Sequence, residues 1–285
     1  MKMLRVGPVG LERPALLDQD GTLRDLSGLI TDVDGAVLAD DCALSRVREA
    51  AASGELPVLD AEGLRIGAPL GRIGKIVGIG LNYFGHAAEI GAEPPAEPIL
   101  FLKAADTVVG PDDTVLIPRG SVKTDWEAEL GVVIGSTARY LDSAEQGLAH
   151  VGGYLLVNDV SEREFQIERG GTWDKGKNCE TFTPLGPWLV TADEIPDPQV
   201  LGVKLWVNGE LRQDGNTSDQ IFPVGEVVRY LSRFMTLHPG DVIVTGTPAG
   251  VAMGRPEPKP YLRAGDVVEL QIDGLGRQRQ EFKGA

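Results

Sequence analysis

Three acids in the segment TDWEAELGVVIG are placed to do chemistry: Asp125, Glu127 and Glu129 recur at every second residue, with Trp126, Ala128 and Leu130 between them. On a strand, a period of two puts the acids on one face and the apolar residues on the other. Like charges at that spacing repel unless a cation sits among them. In isolation such a pattern reads as a solvated sheet face. Here the strand runs on into the wholly apolar Gly131 to Ile134, so it reads as buried, and buried carboxylates need a positive partner. Asp159, at the end of the apolar strand YLLVND, offers a third acid beside Glu127 and Glu129; its other reading is the N-cap of a helix over SEREFQIE. All-oxygen ligation by Glu127, Glu129 and Asp159 suits Mg2+ or Mn2+, with Ca2+ as the third candidate, and not zinc or copper.

A second constellation lies in LNYFGHAAEIG, where His86 and Glu89 stand at i and i+3. On a helical turn they are neighbours, so the carboxylate can orient the imidazole as a general base. The bland alternative is a structural histidine. His150 and His238 read as surface residues. Two nucleotide motifs fail on inspection. Gly171, Gly176 and Lys177 approach a phosphate loop, but Asn178 replaces the required hydroxyl; Gly78 and Gly80 follow a strand, but Tyr83 stands where a third glycine is needed. Cys42 and Cys179 sit in no metal-binding spacing, which excludes a thiolate zinc site.

The elements that must hold these residues are mostly short strands. Thirty-seven glycines and 19 prolines in 285 residues imply many tight turns. KIVGIGL, PILFLK, TVLIP, ELGVVIG and YLLVND follow one another too closely for a helix between each pair, which argues against a doubly wound parallel sheet. KLWV, DVIVTG and DVVELQI complete the set. One amphipathic helix is expected over EVVRYLSRFMTL, ended by the turn at 239–241. Residues 1–70 read as a small N-terminal α/β subdomain, with strand pieces at 4–6, 14–17 and 22–26 and a helix over 44–52. The expected class is mixed α+β, mainly β. With 27 basic against 42 acidic residues the formal net charge is −15, which disfavours nucleic acid and anionic membrane surfaces. The opening MKMLRVGPVGLERP lacks the apolar core of a secretory signal, so a cytoplasmic location is expected.

Taken in order, GLNYFGHAAEIG, EPILFLKAADTVVGP, DWEAELGVVIG, GGYLLVNDVSEREFQ, the Trp173-to-Lys177 spacing and VTGTPAGV resemble the fumarylacetoacetate hydrolase family over residues 73–283. The resemblance implies a β-roll catalytic domain, a divalent metal and a homodimer. It also implies that Glu127, Glu129 and Asp159 are the metal ligands, that His86 with Glu89 activates water, and that Lys177 is the active-site lysine. Arg163, Gln166 and Thr247 match substrate-side positions. The segments RGGTWDKGKNCETF and GNTSDQIF resemble the bacterial branch acting on 2,4-diketo-3-deoxy-L-fuconate, often labelled ureidoglycolate lyase. The implied activity is hydrolysis of a C–C bond in an acidic 2,4-diketo substrate, releasing pyruvate. Oxaloacetate decarboxylation, ureidoglycolate lysis and a Ca2+-stabilised module that binds a small acid are the alternatives.

Overall fold

The computed structural model describes residues 1–60 and 63–285. Its centre is the strand Ala128–Ile134, buried at every position. That burial on both faces suits a near-continuous apolar run better than an alternating one. It pairs antiparallel with Val151–Asn158 on one side and with Val242–Val244 on the other. Beyond Val242–Val244 come the parallel Ile76–Gly80 and then the edge strand Ile99–Lys103. On the far side Leu189–Thr191 leads to Lys2–Val6, Arg13–Leu17 and Leu23–Asp25, so the N-terminal strands extend the same nine-stranded sheet.

Leu130, Val132 and Ile134 face a core shared with a second sheet of five strands, Glu210–Asn216, Gly202–Val207, Val267–Ile272, Gly276–Gly284 and Val115–Ile117. Val133, on the opposite face, packs with Met3, Leu16, Leu26 and Val47 of the N-terminal segment. Val47 belongs to the helix Asp41–Ser53, whose first turn is capped by the Asp40 carboxylate accepting from Cys42 N and Ala43 N. The architecture is thus the expected mixed, mainly β class. None of its helices is long and apolar enough to cross a membrane, among the described residues.

Two expected helices differ. The amphipathic helix spans Val224–Leu231 and stops well before the turn at 239–241. Its last turn tightens through Arg233 N to Tyr230 O and Phe234 N to Leu231 O, after which Leu237 pairs with Ala138. SEREFQIE forms no α-helix. Ser161–Glu162 pairs as a short strand with Thr124–Asp125, and Arg163 N donates to Lys123 O, which draws the segment into a ladder before the wide turn Glu164–Glu168. Asp159 therefore caps no α-helix.

Candidate active site

The carboxylates come together because two neighbouring strands end side by side. Asp159 N donates to Glu127 O at 2.9 Å, carrying the ladder between Ala128–Ile134 and Val151–Asn158 one step further. Asn158 Oδ1 and Gln213 Oε1 accept from Glu127 N and Ala128 N, holding the backbone where the strand is interrupted. Oxygens of Glu127, Glu129 and Asp159 then lie within 4.8 Å of one another, all buried. Asp125, the fourth acid nearby, is turned to other work: its oxygens accept from Arg163 Nε and from Ala252 N and Met253 N.

Three buried cations surround the cluster. Lys177 Nζ donates to Glu127 Oε2 at 2.5 Å and Asp159 Oδ2 at 2.6 Å, with the Phe101 ring 5.0 Å beneath it. Arg163 lies 2.7 Å from Glu127 Oε1 and donates to Gln166 Oε1. Lys103 Nζ is 2.7 Å from Asp159 Oδ1, a charge contact without hydrogen-bond alignment, and its hydrogens go to Lys177 O and Phe182 O. Burial works to raise Glu127, but the Lys177 and Arg163 charges outweigh it and hold that carboxyl well below the usual range. For Glu129, burial and then the Asp159 and Glu127 charges push the carboxyl well above it. Burial lowers Lys103 despite Asp159, whereas for Lys177 the Asp159 and Glu127 charges overcome burial and raise it.

Glu129 takes its hydrogen bond from the neutral Gly246 N–H, at 2.7 Å, rather than from one of the three cations, and Asp159 Oδ1 accepts none among the described residues. A site with three carboxylate ligands, one charge-strained acid and one carboxylate oxygen that meets a charge but no aligned hydrogen bond fits a hard divalent cation. Glu127, Glu129 and Asp159 are the residues that would hold it.

The cluster opens on a cavity of about 110 Å³ lined by His86, Glu127, Glu129, Arg163, Lys177 and Thr247, with Ile79, Phe101 and Trp173 among its apolar walls. His86 sits on the short helix Phe84–Glu89, pinned at its start by Asn82, whose amide exchanges hydrogen bonds with the Phe222 backbone and donates to Thr245 O. His86 Nδ1 is 2.7 Å from Glu89 Oε1, and Glu89 Oε2 accepts from Gly250 N at 2.8 Å. An ionised carboxylate only accepts, so the imidazole proton is assigned to Nδ1 and the lone pair to Nε2. Gln166 also lines the cavity; with Oε1 taken by Arg163, its amide nitrogen remains a donor. The Thr247 hydroxyl donates to Ala128 O and accepts from Gln213, so its proton is already committed.

Sequence reasoning missed Lys103, the Asp125–Arg163 pair and the purpose of the strand glycines. A Cβ on Gly78 would lie 2.1 Å from the Phe101 ring, and one on Gly80 2.0 Å from the Trp173 ring. These glycines make room for two cavity walls, themselves in tilted contact at 5.8 Å.

A buried carboxylate cluster ringed by cations, beside an oriented His–Glu pair in one cavity, is the architecture of an enzyme. Residues 75–283 match the family model described as fumarylacetoacetate (FAA) hydrolase C-terminal, and the chain belongs to that family. A Burkholderia ambifaria protein, named only as a provisional hydrolase, is 55% identical over all 285 residues of both chains. The structure of maleylpyruvate hydrolase from Sphingobium sp. SYK-6, in complex with manganese(II) and pyruvate, is similar with a TM-score of 0.81 and 30% identity over 100% of each chain. A 2-hydroxyhepta-2,4-diene-1,7-dioate isomerase structure from Mycobacterium marinum gives a TM-score of 0.76 and 30% identity, covering 100% of this chain and 98% of that one. The chain is a hydrolase-type enzyme of this superfamily.

Proposed function

We propose that the chain hydrolyses 2,4-diketo acids between C3 and C4, releasing pyruvate, with Mg2+ or Mn2+ held by Glu127, Glu129 and Asp159. The observation that carries this reading is that His86, Lys177, Glu127 and Glu129 line one cavity. The manganese- and pyruvate-bound relative supports it. When bound, the cation supplies Lewis-acid polarisation and charge for holding an α-keto acid in a protein of net charge −15.

The residues supply the rest. His86 Nε2 takes a proton from water while Glu89 steadies the Nδ1–H; the water oxygen bonds to C4. The C3–C4 pair of electrons then moves into the leaving enolate, and the Lys177 ammonium stabilises its oxygen. The proton on His86 returns to C3. Water is thereby divided between the two products, pyruvate and a second carboxylic acid. Arg163 and the Gln166 amide orient the substrate; Thr247, its proton spent, shapes the wall. The candidate substrates are 2,4-diketo-3-deoxy-L-fuconate, whose second product is lactate, and simpler acylpyruvates.

The test is pyruvate release, coupled to a dehydrogenase, across acylpyruvates, diketo-deoxy acids, oxaloacetate and ureidoglycolate with Mg2+ or Mn2+. Turnover of diketo acids that vanishes in EDTA supports the reading. Turnover of oxaloacetate alone would replace it with decarboxylation, and diketo-acid hydrolysis undiminished in metal-free protein would refute the cation's part.

A further inference from the structure

The inner cavity is small, and a second cavity of about 430 Å³ adjoins it. Arg163, Ile167 and Met253 line both, so these three residues mark a passage by which a substrate whose keto-acid end fills the inner chamber reaches the outer one. The outer chamber's ionisable lining, apart from Arg163, is Lys123, Lys259, Arg263 and Tyr261 with Glu168 and Glu257. Lys123 is paired with Glu168. Among the described residues, Lys259 and Arg263 meet no carboxylate with their charged groups: Lys259 Nζ donates to Met253 O, and the Arg263 guanidinium to Val122 O and Leu262 O. The opposing charges are Glu257, an exposed residue whose carboxylate accepts from Lys259 N, and, behind the lining, Asp266, whose carboxylate accepts from Arg263 N rather than from its guanidinium.

The segment carrying these cations is tied to the inner site. Asp125, which holds Arg163, also accepts from Ala252 N and Met253 N, and Leu262 N donates to Thr124 O at 2.8 Å. One buried carboxylate thus sets the position of the inner guanidinium and of the base of the outer wall. In a chain of net charge −15, two cations whose charged groups pair with no carboxylate among the described residues, lining one cavity, are an anion-selecting feature.

We propose that Lys259 and Arg263 form a distal anion subsite, so that the preferred diketo acid carries a second carboxylate at the end remote from the keto acid. This rests on the proposed reading of the inner cavity and divides its two candidate substrates. The neutral hydroxyl tail of a deoxy-sugar acid would leave both cations uncompensated, whereas a dicarboxylic acylpyruvate pairs with them.

The experiment compares succinylpyruvate with its terminal carboxamide, equal in length and differing in charge. Wild type should show a kcat/KM about tenfold or more higher for the carboxylate, the order expected of charge-assisted contacts at a partly exposed site. The preference should sit in KM and shrink as NaCl is raised, because exposed charges are screened. In the Lys259→Met, Arg263→Met double variant the ratio should fall toward one, and Arg263→Lys should keep most of it. A wild-type ratio near one, or a ratio unchanged in the double variant, overturns the subsite while leaving the reaction standing. The salt dependence in wild type decides the matter should the variant fold poorly: a ratio indifferent to NaCl overturns it. No pyruvate from either compound, nor from the other diketo acids of the panel above, would refute the reaction instead. Calorimetric binding of succinylpyruvate to wild type and variant then judges the subsite, and equal affinities reject it.

Discussion

Replacing Glu129 by glutamine separates a cation site from an acid cluster that serves only the fold. In the metal-free protein the Glu129 carboxylate lies within 4.8 Å of oxygens of both Glu127 and Asp159. Two unit charges at that distance repel by about 3–4 kcal/mol in a medium of effective dielectric ~20. Lys177 returns part of this, and Gly246 N–H, which donates to Glu129 Oε2, can still donate to an amide oxygen in the Glu129→Gln variant. The metal-free variant should therefore be more stable at neutral pH by about 1–3 kcal/mol, the scale on which removing an uncompensated buried charge is felt. That is a rise of about 2–4 °C in Tm per kcal/mol for a chain of this size. The sign of the pH dependence follows from the raised Glu129 carboxyl. The folded chain keeps this proton where the unfolded chain has released it, so the group's stabilisation is full below the usual carboxylate range and is lost as pH rises through the folded value. The amide of the Glu129→Gln variant does not titrate and undergoes no such loss, so the Tm difference should open from near zero at acid pH and widen toward neutrality. Glu127, held low by Lys177 and Arg163 against its burial, acts in the opposite direction but is common to both proteins. Scanning calorimetry of EDTA-stripped protein from acid to neutral pH reads the first effect. Titration calorimetry with Mn2+ reads the second: a loss of affinity above about 100-fold, since even groups that merely orient a ligand cost 10–100-fold. A variant that melts lower than wild type at neutral pH would show that the ionised Glu129 is net favourable. One that binds Mn2+ as wild type does would remove it from the ligand set.

Four further outcomes are expected. His86→Ala should cut pyruvate release from a diketo acid by roughly 10²–10⁴-fold while leaving Mn2+ affinity close to wild type, because the imidazole lies outside the carboxylate cluster; wild-type turnover would reject the general base. Lys103→Met strips a buried cation from Asp159 and a donor from two backbone carbonyls, and urea unfolding should show a loss of about 3–5 kcal/mol; a loss under about 1 would mean the charge contact is idle. Gly80→Ala places a methyl where the Trp173 ring now sits, so kcat/KM should drop by about 10–100-fold with the metal site intact. Sedimentation should give a homodimer, the state the family resemblance implies for a chain that leaves Leu100 and Leu102 on its edge strand 39% and 46% exposed; a monomer at micromolar concentration would contradict it.

Why some of this site can be read from sequence and some cannot comes down to which residues obey hydropathy. Glu127 and Glu129 stand out because acids alternate with apolar residues in a strand that continues fully apolar, and Asp159 because it ends another such strand; His86 and Glu89 need only helical spacing. All five read through local periodicity, and periodicity also exposes the mainly β class. The membership of the N-terminal strands in the main sheet is invisible to it, since the pairing of Lys2–Val6 with Leu189–Thr191 joins residues far apart in the chain. The Asp125–Arg163 pair is hidden by a helical pattern that loses to the pairing of Ser161–Glu162 with Thr124–Asp125. Lys103 inverts the rule altogether. In ILFLK, hydropathy puts the leucines inside and the lysine out, yet Leu100 and Leu102 are exposed while Lys103 is 3% exposed. The face of that edge strand follows from what awaits each side: Phe101 fills the space left by Gly78, and Asp159 faces the lysine, whose hydrogens reach the carbonyls of Lys177 and Phe182. A buried cation is tolerated where an acid and two acceptors are already buried with it. That compensation lies in residues 56 to 79 positions further along the chain, so the rule Lys103 breaks is restored only once the fold has closed around it.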